Sequence, residues 1–225
     1  WQNTIHSGRN SGEQLNISGT VKNTNGKLTL NNSGAKGLNL ISTSSITSEG
    51  LEMTNSGANG LNINGKVDNT GSAKVTNTSA GVEGLYVKGT FTNKGNAEFK
   101  NDGRDGLNVE GTLTNTNGKL SMTNNGARGL NVTKTGTVNA QGIEMTNNGA
   151  SGLNVYGTVN NTGDGTYTSN AGALDVHESG KMSNKGGTAK YTNKGANGLV
   201  ISGEVNNEGT TIANNENGPL SIGGK

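Results

Sequence analysis

The chain has 225 residues, a formal charge of +2 and no cysteine, which excludes disulfides and thiolate metal sites, and its interspersed charges form no basic block for nucleic acid. Hydrophobic residues make up 28% and aromatics 3%, with 39 glycines but one proline. That excludes a thick-cored globule, a collagen-like tract and a proline-rich tract, and no apolar run has the length of a membrane-spanning helix.

Taken in chain order, one Gly-Leu-Asn-Val-like string keeps returning. Its leucine falls at Leu15, Leu38, Leu61, Leu85, Leu107, Leu130, Leu153, Leu174, Leu199 and Leu220. Ten copies of roughly 23 residues cover the chain, so residues 1–225 read as one repeat domain. Residues 107–129 show the grammar of each copy. Leu107 and Val109 alternate with polar residues, Leu113 follows, and Leu120 and Met122 alternate again. Period-two runs broken by Gly/Asn turns predict three short strands per copy. No stretch has the spacing of an amphipathic helix.

Such short strands must bury one side against a neighbouring copy. If each copy is one coil, successive copies pair in parallel about 4.8 Å apart. The expected fold is all-β, a right-handed parallel β-helix of about ten coils, since parallel crossovers are right-handed. Its inward columns are Leu61/Ile63, Leu85/Val87, Leu107/Val109, Leu130/Val132 and Leu153/Val155 for the first strands. The second strands give Val21, Ile46, Val67, Phe91, Leu113, Val138, Val159, Met182 and Val205. The third give Leu28/Leu30, Leu51/Met53, Leu120/Met122 and Ile143/Met145. A thin apolar column of this kind accounts for the low hydrophobic fraction.

Two asparagine columns mark corners. One is Asn32, Asn55, Asn77, Asn101, Asn124, Asn147, Asn170, Asn193 and Asn215; the other is Asn23, Asn69, Asn93, Asn115, Asn161, Asn184 and Asn207. An amide both donates and accepts, so stacked copies can hydrogen-bond along the rod.

The copies Gly60-Leu61-Asn62-Ile63-Asn64-Gly65 and Gly152-Leu153-Asn154-Val155-Tyr156-Gly157, with Asn-Thr-Gly at 69–71 and 161–163, resemble passenger domains of Gram-negative autotransporters. The style is that of the self-associating and diffuse-adherence adhesins of the antigen 43 and AIDA kind. The resemblance lies in repeat style along the whole chain and is shared by other β-helical exoproteins, filamentous haemagglutinins included. It implies a cell-surface adhesin on a Gram-negative bacterium, acting in self-association or in binding host matrix and glycans. It also implies a signal peptide and a membrane barrel outside this sequence; Trp1-Gln2-Asn3-Thr4 does not open a signal peptide.

The rival class is a β-helical polysaccharide lyase or hydrolase, which needs clustered carboxylates on one face. Glu83 and Asp105 are the one such pair, stacked in the column Lys36, Asn59, Glu83, Asp105, Arg128, Ser151, with Asp102 and Arg104 nearby. It reads first as a solvated corner in which Arg128 relieves the repulsion. His6 and His177 are too distant in the stack to share a metal, and His177 is expected to face solvent. Glu52, Lys74 and Glu98 should form exposed alternating pairs of small value. No catalytic, cofactor-binding or metal-binding residues are assigned, and no cofactor is expected.

The outer side of the first strands is the expected contact face. It carries Asn16, Asn39, Asn62, Tyr86, Asn108, Asn131, Asn154 and Asp175, with Ser18, Asn64, Lys88, Glu110, Thr133, Tyr156 and His177 beside them. Of these, Asn39, Asn62, Tyr86, Lys88, Asn108, Asn131, Asn154, Tyr156 and Asp175 are assigned as the self-association or ligand face. The second-strand face is threonine-rich instead, at Thr90, Thr92, Thr112, Thr114, Thr137 and Thr158.

Overall fold

A computed structural model describes residues 2–8, 13–79 and 81–224. Among them there is no helix, and the strands pair in parallel throughout. The first sheet has ten strands, from Leu15–Ile17 to Leu220–Ile222, each paired with its counterpart one repeat away. Nine full turns separate the first from the last, about 43 Å of rod at the usual strand spacing. The chain is a parallel β-solenoid.

The inward columns fall in register as the alternation requires. Val67, Phe91, Leu113 and Val138 are Cα partners in turn, and each is fully buried. Leu107, Leu130 and Leu153 stack in the first sheet. The third strands balance volume within each coil. Leu28/Leu30 and Leu51/Met53 share space evenly, whereas the large Phe99, Tyr167 and Tyr191 stand two residues after Ala97, Gly165 and Ala189. Phe91 meets Phe99 edge-on with centroids 5.0 Å apart, and Tyr167 stacks on Tyr191 at 5.1 Å. The phenols sit in the interior because Asn184 receives the Tyr167 hydroxyl at 2.8 Å and donates to the Tyr191 oxygen at 3.0 Å. Burial pushes the Tyr191 hydroxyl up to about 12.

The buried asparagine ladder at the end of the third strands uses its full hydrogen-bonding capacity. Asn101 Nδ2 donates to Gly103 O at 2.8 Å and to Asn124 Oδ1 at 2.9 Å. Its Oδ1 accepts from Gly103 N at 3.0 Å and from Asn77 Nδ2 at 2.9 Å. Each amide thus closes its own corner and the next coil. One member differs from the sequence expectation. Ser169, not Asn170, is the partner of Asn147 and Asn193. Asn147 Nδ2 bonds Ser169 Oγ at 3.2 Å, and Asn170 is exposed, donating to Asn148 on an outer ladder at 2.7 Å. The corner here has four residues, 170–173, before Leu174, where coils such as 125–129 have five before Leu130, and the shift by one residue follows from that shortening. In the second ladder Ser48 and Ala140 stand where an amide is absent.

The residue before each repeat leucine shows why glycine recurs. Gly129 has φ +87°, and a Cβ on it would lie 2.3 Å from Gly152 O in the next coil. Both the left-handed backbone and the close approach require glycine.

Two further expectations change. In the last coils the second and third strands merge into Lys181–Asn193 and Glu204–Asn215, with a register shift between Lys185 and Thr188 where Gly186 and Gly187 adopt positive φ. Among the described residues no ion pair links Lys74 to Glu52 or Glu98. Glu52 instead pairs with Lys27 at 2.7 Å, and Glu144 with Lys119, because these lysines precede the third strand of the coil before and reach across the corner.

The coils also obey a longer period. Residues 15–76 align without a gap on 107–168, an offset of 92 residues or four coils. Asn23-Thr24-Asn25-Gly26-Lys27-Leu28 recurs as Asn115-Thr116-Asn117-Gly118-Lys119-Leu120, and Glu52-Met53-Thr54-Asn55 as Glu144-Met145-Thr146-Asn147. The geometry recurs too: Asn25 and Asn117 both have φ +57°, and their N–H groups are accepted by Glu49 and Gln141 of the following coil.

Candidate functional site

The expected strip is present. Asn16, Asn39, Asn62, Tyr86, Asn108, Asn131, Asn154 and Asp175 are consecutive Cα partners on the outer side of the first sheet. The alternation that buries Leu61 and Ile63 turns Asn62 outward.

Its amides are more occupied than the sequence suggested. Asn131 Nδ2 donates to Asn108 Oδ1 at 2.9 Å and to Arg128 O at 3.0 Å. Asn154 does the same to Asn131 Oδ1 and Ser151 O, and Asn62 to Asn39 Oδ1 and Asn59 O. Both amide hydrogens of these residues therefore close bonds within the rod. The ladder stiffens the face and leaves mainly acceptor lone pairs to a visitor. The strip reads as three amides and a break, twice over, with Tyr86 and Asp175 in the fourth place of each four-coil block.

At the first break Tyr86 replaces the amide. Its hydroxyl lies 3.2 Å from Glu83 Oε2 and 3.3 Å from Asp105 Oδ2. Burial first, then the two carboxylates, push the phenol well above its ordinary range, so it stays protonated and donates. Lys88 Nζ stands 5.0 Å over the Tyr86 ring, within cation–π range, and 3.9 Å from Glu110. Arg128 reaches Asp105 at 3.3 Å; that carboxylate is only 15% exposed, the guanidinium 62%. The corner feeding this site, 78–84, has two residues more than 102–106 or 125–129 and exposes Val82. Insertions in one repeat commonly mark a binding edge.

At the second break Asp175 replaces the amide and His177 enters. The His177 ring stacks on Tyr156 at 3.8 Å, its Nε2 lies 3.0 Å from Asn154 Oδ1, and Asp175 Oδ2 is 3.5 Å away. The expectation of a solvent-facing His177 is corrected: the ring is 27% exposed because Tyr156 covers it. Burial lowers the imidazole pKa, opposed by Asp175, and the same burial raises the Asp175 carboxyl, opposed by His177. The signal for this contact was in the sequence, since Tyr156 and His177 occupy one column a single coil apart.

Among the described residues no group of three or more His, Cys, Asp or Glu side chains is placed to hold a metal ion. No helix is long and apolar enough to cross a membrane. The arrangement offers two mixed aromatic and charged spots on one stiff polar face. No protein-family model, curated protein or solved structure matches the chain. Its class is thus defined by its own geometry: a parallel β-solenoid with an amide-laddered face broken at two points.

Proposed function

We propose that the chain is an adhesin passenger on the outer surface of a Gram-negative bacterium. It holds copies of itself on neighbouring cells, or host matrix and glycans, by side-on contact. The observation that carries this reading is the first face, where Tyr86 with Lys88 stands at one break of a straight polar strip and the Tyr156–His177 stack stands beside the other. Tyrosine is favoured at protein contacts because it combines area with a polar tip. Weak contacts at several points along a stiff rod add to a firm one.

The polysaccharide-degrading alternative has less support. Glu83 and Asp105 are engaged by the Tyr86 hydroxyl, and Asp105 is paired with Arg128 as well, so both carboxylates already have partners within the rod.

The test is clumping of cells that display the chain on a membrane anchor. Replacing the strip's asparagines by Asp would dismantle the ladder itself, so the informative variant is Tyr86→Ser with Lys88→Glu and Tyr156→Ser. Loss of clumping, with the melting temperature held, supports this face. Clumping that persists in a folded variant removes it.

A further inference from the structure

A broad cavity lies away from the first face, on the corner between the second and third strands of the coils. Corner length there can be counted from the second-ladder residue to the first inward residue of the third strand. Four residues, 24–27, follow Asn23; two, 49–50, follow Ser48; three each, 70–72 and 94–96, follow Asn69 and Asn93; four, 116–119, follow Asn115. Long corners stand out from the rod and short ones sink. The result is a basin of about 780 Å³ with Lys27 at one end and Lys119 at the other. These are equivalent residues of the two four-coil blocks, so about 19 Å separates the end walls.

The floor is backbone and small groups, with Gly50, Gly71 and Ser72 among them, and Lys74 and Glu98 flank it. Lys27 is paired with Glu52, Lys119 with Glu144, and Glu49 accepts the Asn25 N–H. Lys74 and Glu98 are cross-strand neighbours, exposed, and not within ion-pairing distance of each other. They leave one donor and one acceptor of opposite charge side by side over the floor.

We propose that this basin binds a short uncharged segment of a polysaccharide. The charge balance decides the class. An anionic sugar would meet Glu98 and Glu49, and a cationic one Lys74, so either gains at one residue and loses at the next. A neutral polyhydroxyl chain accepts from Lys74 Nζ and donates to the Glu98 carboxylate at once. No aromatic ring lines the basin, so a single site binds weakly, and repetition on a cell surface supplies the avidity. This site does not rest on the first-face reading, and either can fail without the other.

The experiment is NMR titration of the labelled chain with maltohexaose, N-acetylated chitohexaose and, as the anionic control, hexagalacturonate. The expected result is saturable shifts for one neutral probe, centred on the amides of Gly50, Gly71, Ser72, Lys74 and Glu98. Ser72→Trp, which fills the basin from an exposed corner position, should weaken binding at least tenfold without lowering the melting temperature. Lys74→Ala with Glu98→Ala should weaken it similarly and guards against a misfolded tryptophan variant. No saturable shift with either neutral probe, tighter binding of hexagalacturonate, or unchanged affinity in the folded variants would overturn the proposal.

Discussion

His177 Nε2 lies 3.0 Å from Asn154 Oδ1, the place that an asparagine of the following coil would take in the ladder. The fourth coil of this block carries Asp175 at the ladder position, and an ionised carboxylate has no hydrogen to give. His177, two residues on, supplies it and closes the run Asn108, Asn131, Asn154.

That substitution makes the second block sensitive to pH. Burial lowers the His177 pKa below its ordinary value, so the folded state favours the neutral ring. Stability from this group is present above the ordinary histidine range and declines as pH falls through it. Asp175, whose pKa is raised, has the opposite sign, but over the lower range in which carboxyls titrate. The melting temperature should therefore fall between pH 7.5 and 5.5. His177→Asn, which keeps a donor and has no charge to gain, should flatten the slope. An equal slope in that variant would place the titration elsewhere.

The inner and outer asparagine ladders should differ in strength. Asn124→Ala strips partners from Asn101, Asn147 and both polar groups of Gly126 in a fully buried position. Unsatisfied buried groups cost about 1–3 kcal/mol each, with partial relief by water, so a loss of about 3 kcal/mol is expected. Asn131→Ala on the partly exposed first face should cost about 1 kcal/mol, because water replaces its bonds. Equal losses on denaturant unfolding would mean the inner ladder is not dry.

Leu113 has Phe91 and Val138 as its Cα partners on adjacent coils and is fully buried. Leu113→Asp would bury an unpaired charge and should cost about 4 kcal/mol or more. Coils share one column, so the damage should spread beyond one repeat and lower a single transition. A variant that melts with the parent would contradict this register.

The solenoid of three strands per coil was legible because period-two alternation and the 23-residue return fix which residue faces inward, and Leu113 is a case of it. Three things were harder to read. Asn170 is expected in the inner ladder because asparagine is the common residue there, and the shortened corner 170–173 that moves the position to Ser169 changes spacing by only one. Tyr167 and Tyr191 are core residues because Gly165, Ala189 and Asn184 make room and supply partners, a cooperation among three positions that alternation alone does not reveal. The Lys27–Glu52 pair crosses a corner, and corner length sets it rather than strand register. By contrast, the four-coil block was in plain view as two copies of Asn-Thr-Asn-Gly-Lys-Leu, but a 23-residue search averages it away.

That block makes a prediction about the whole rod. Residues 107–198 span one period of 92 residues, and they begin and end at equivalent points, since Gly106 precedes Leu107 as Gly198 precedes Leu199. Deleting them joins Gly106 to Leu199 with the first-sheet strand still in phase. The interior at the new junction changes modestly: Phe91 and Phe99 of the fourth coil would meet Val205 and Ala213, where Met182 and Tyr191 meet them now. In a solenoid each coil contacts its neighbours alone, so the energy of unfolding grows roughly with the number of coils. The shortened chain should therefore fold, keep a helix-free circular dichroism spectrum and unfold with a calorimetric enthalpy lower by about 40%. A control lacking residues 107–187 removes a non-integral number of coils. It turns inward residues to solvent and should fail to fold, because the side-chain alternation no longer matches across the junction. If both deletions fold equally well, phase between coils is not what holds the rod; if neither folds, the two blocks are not interchangeable units.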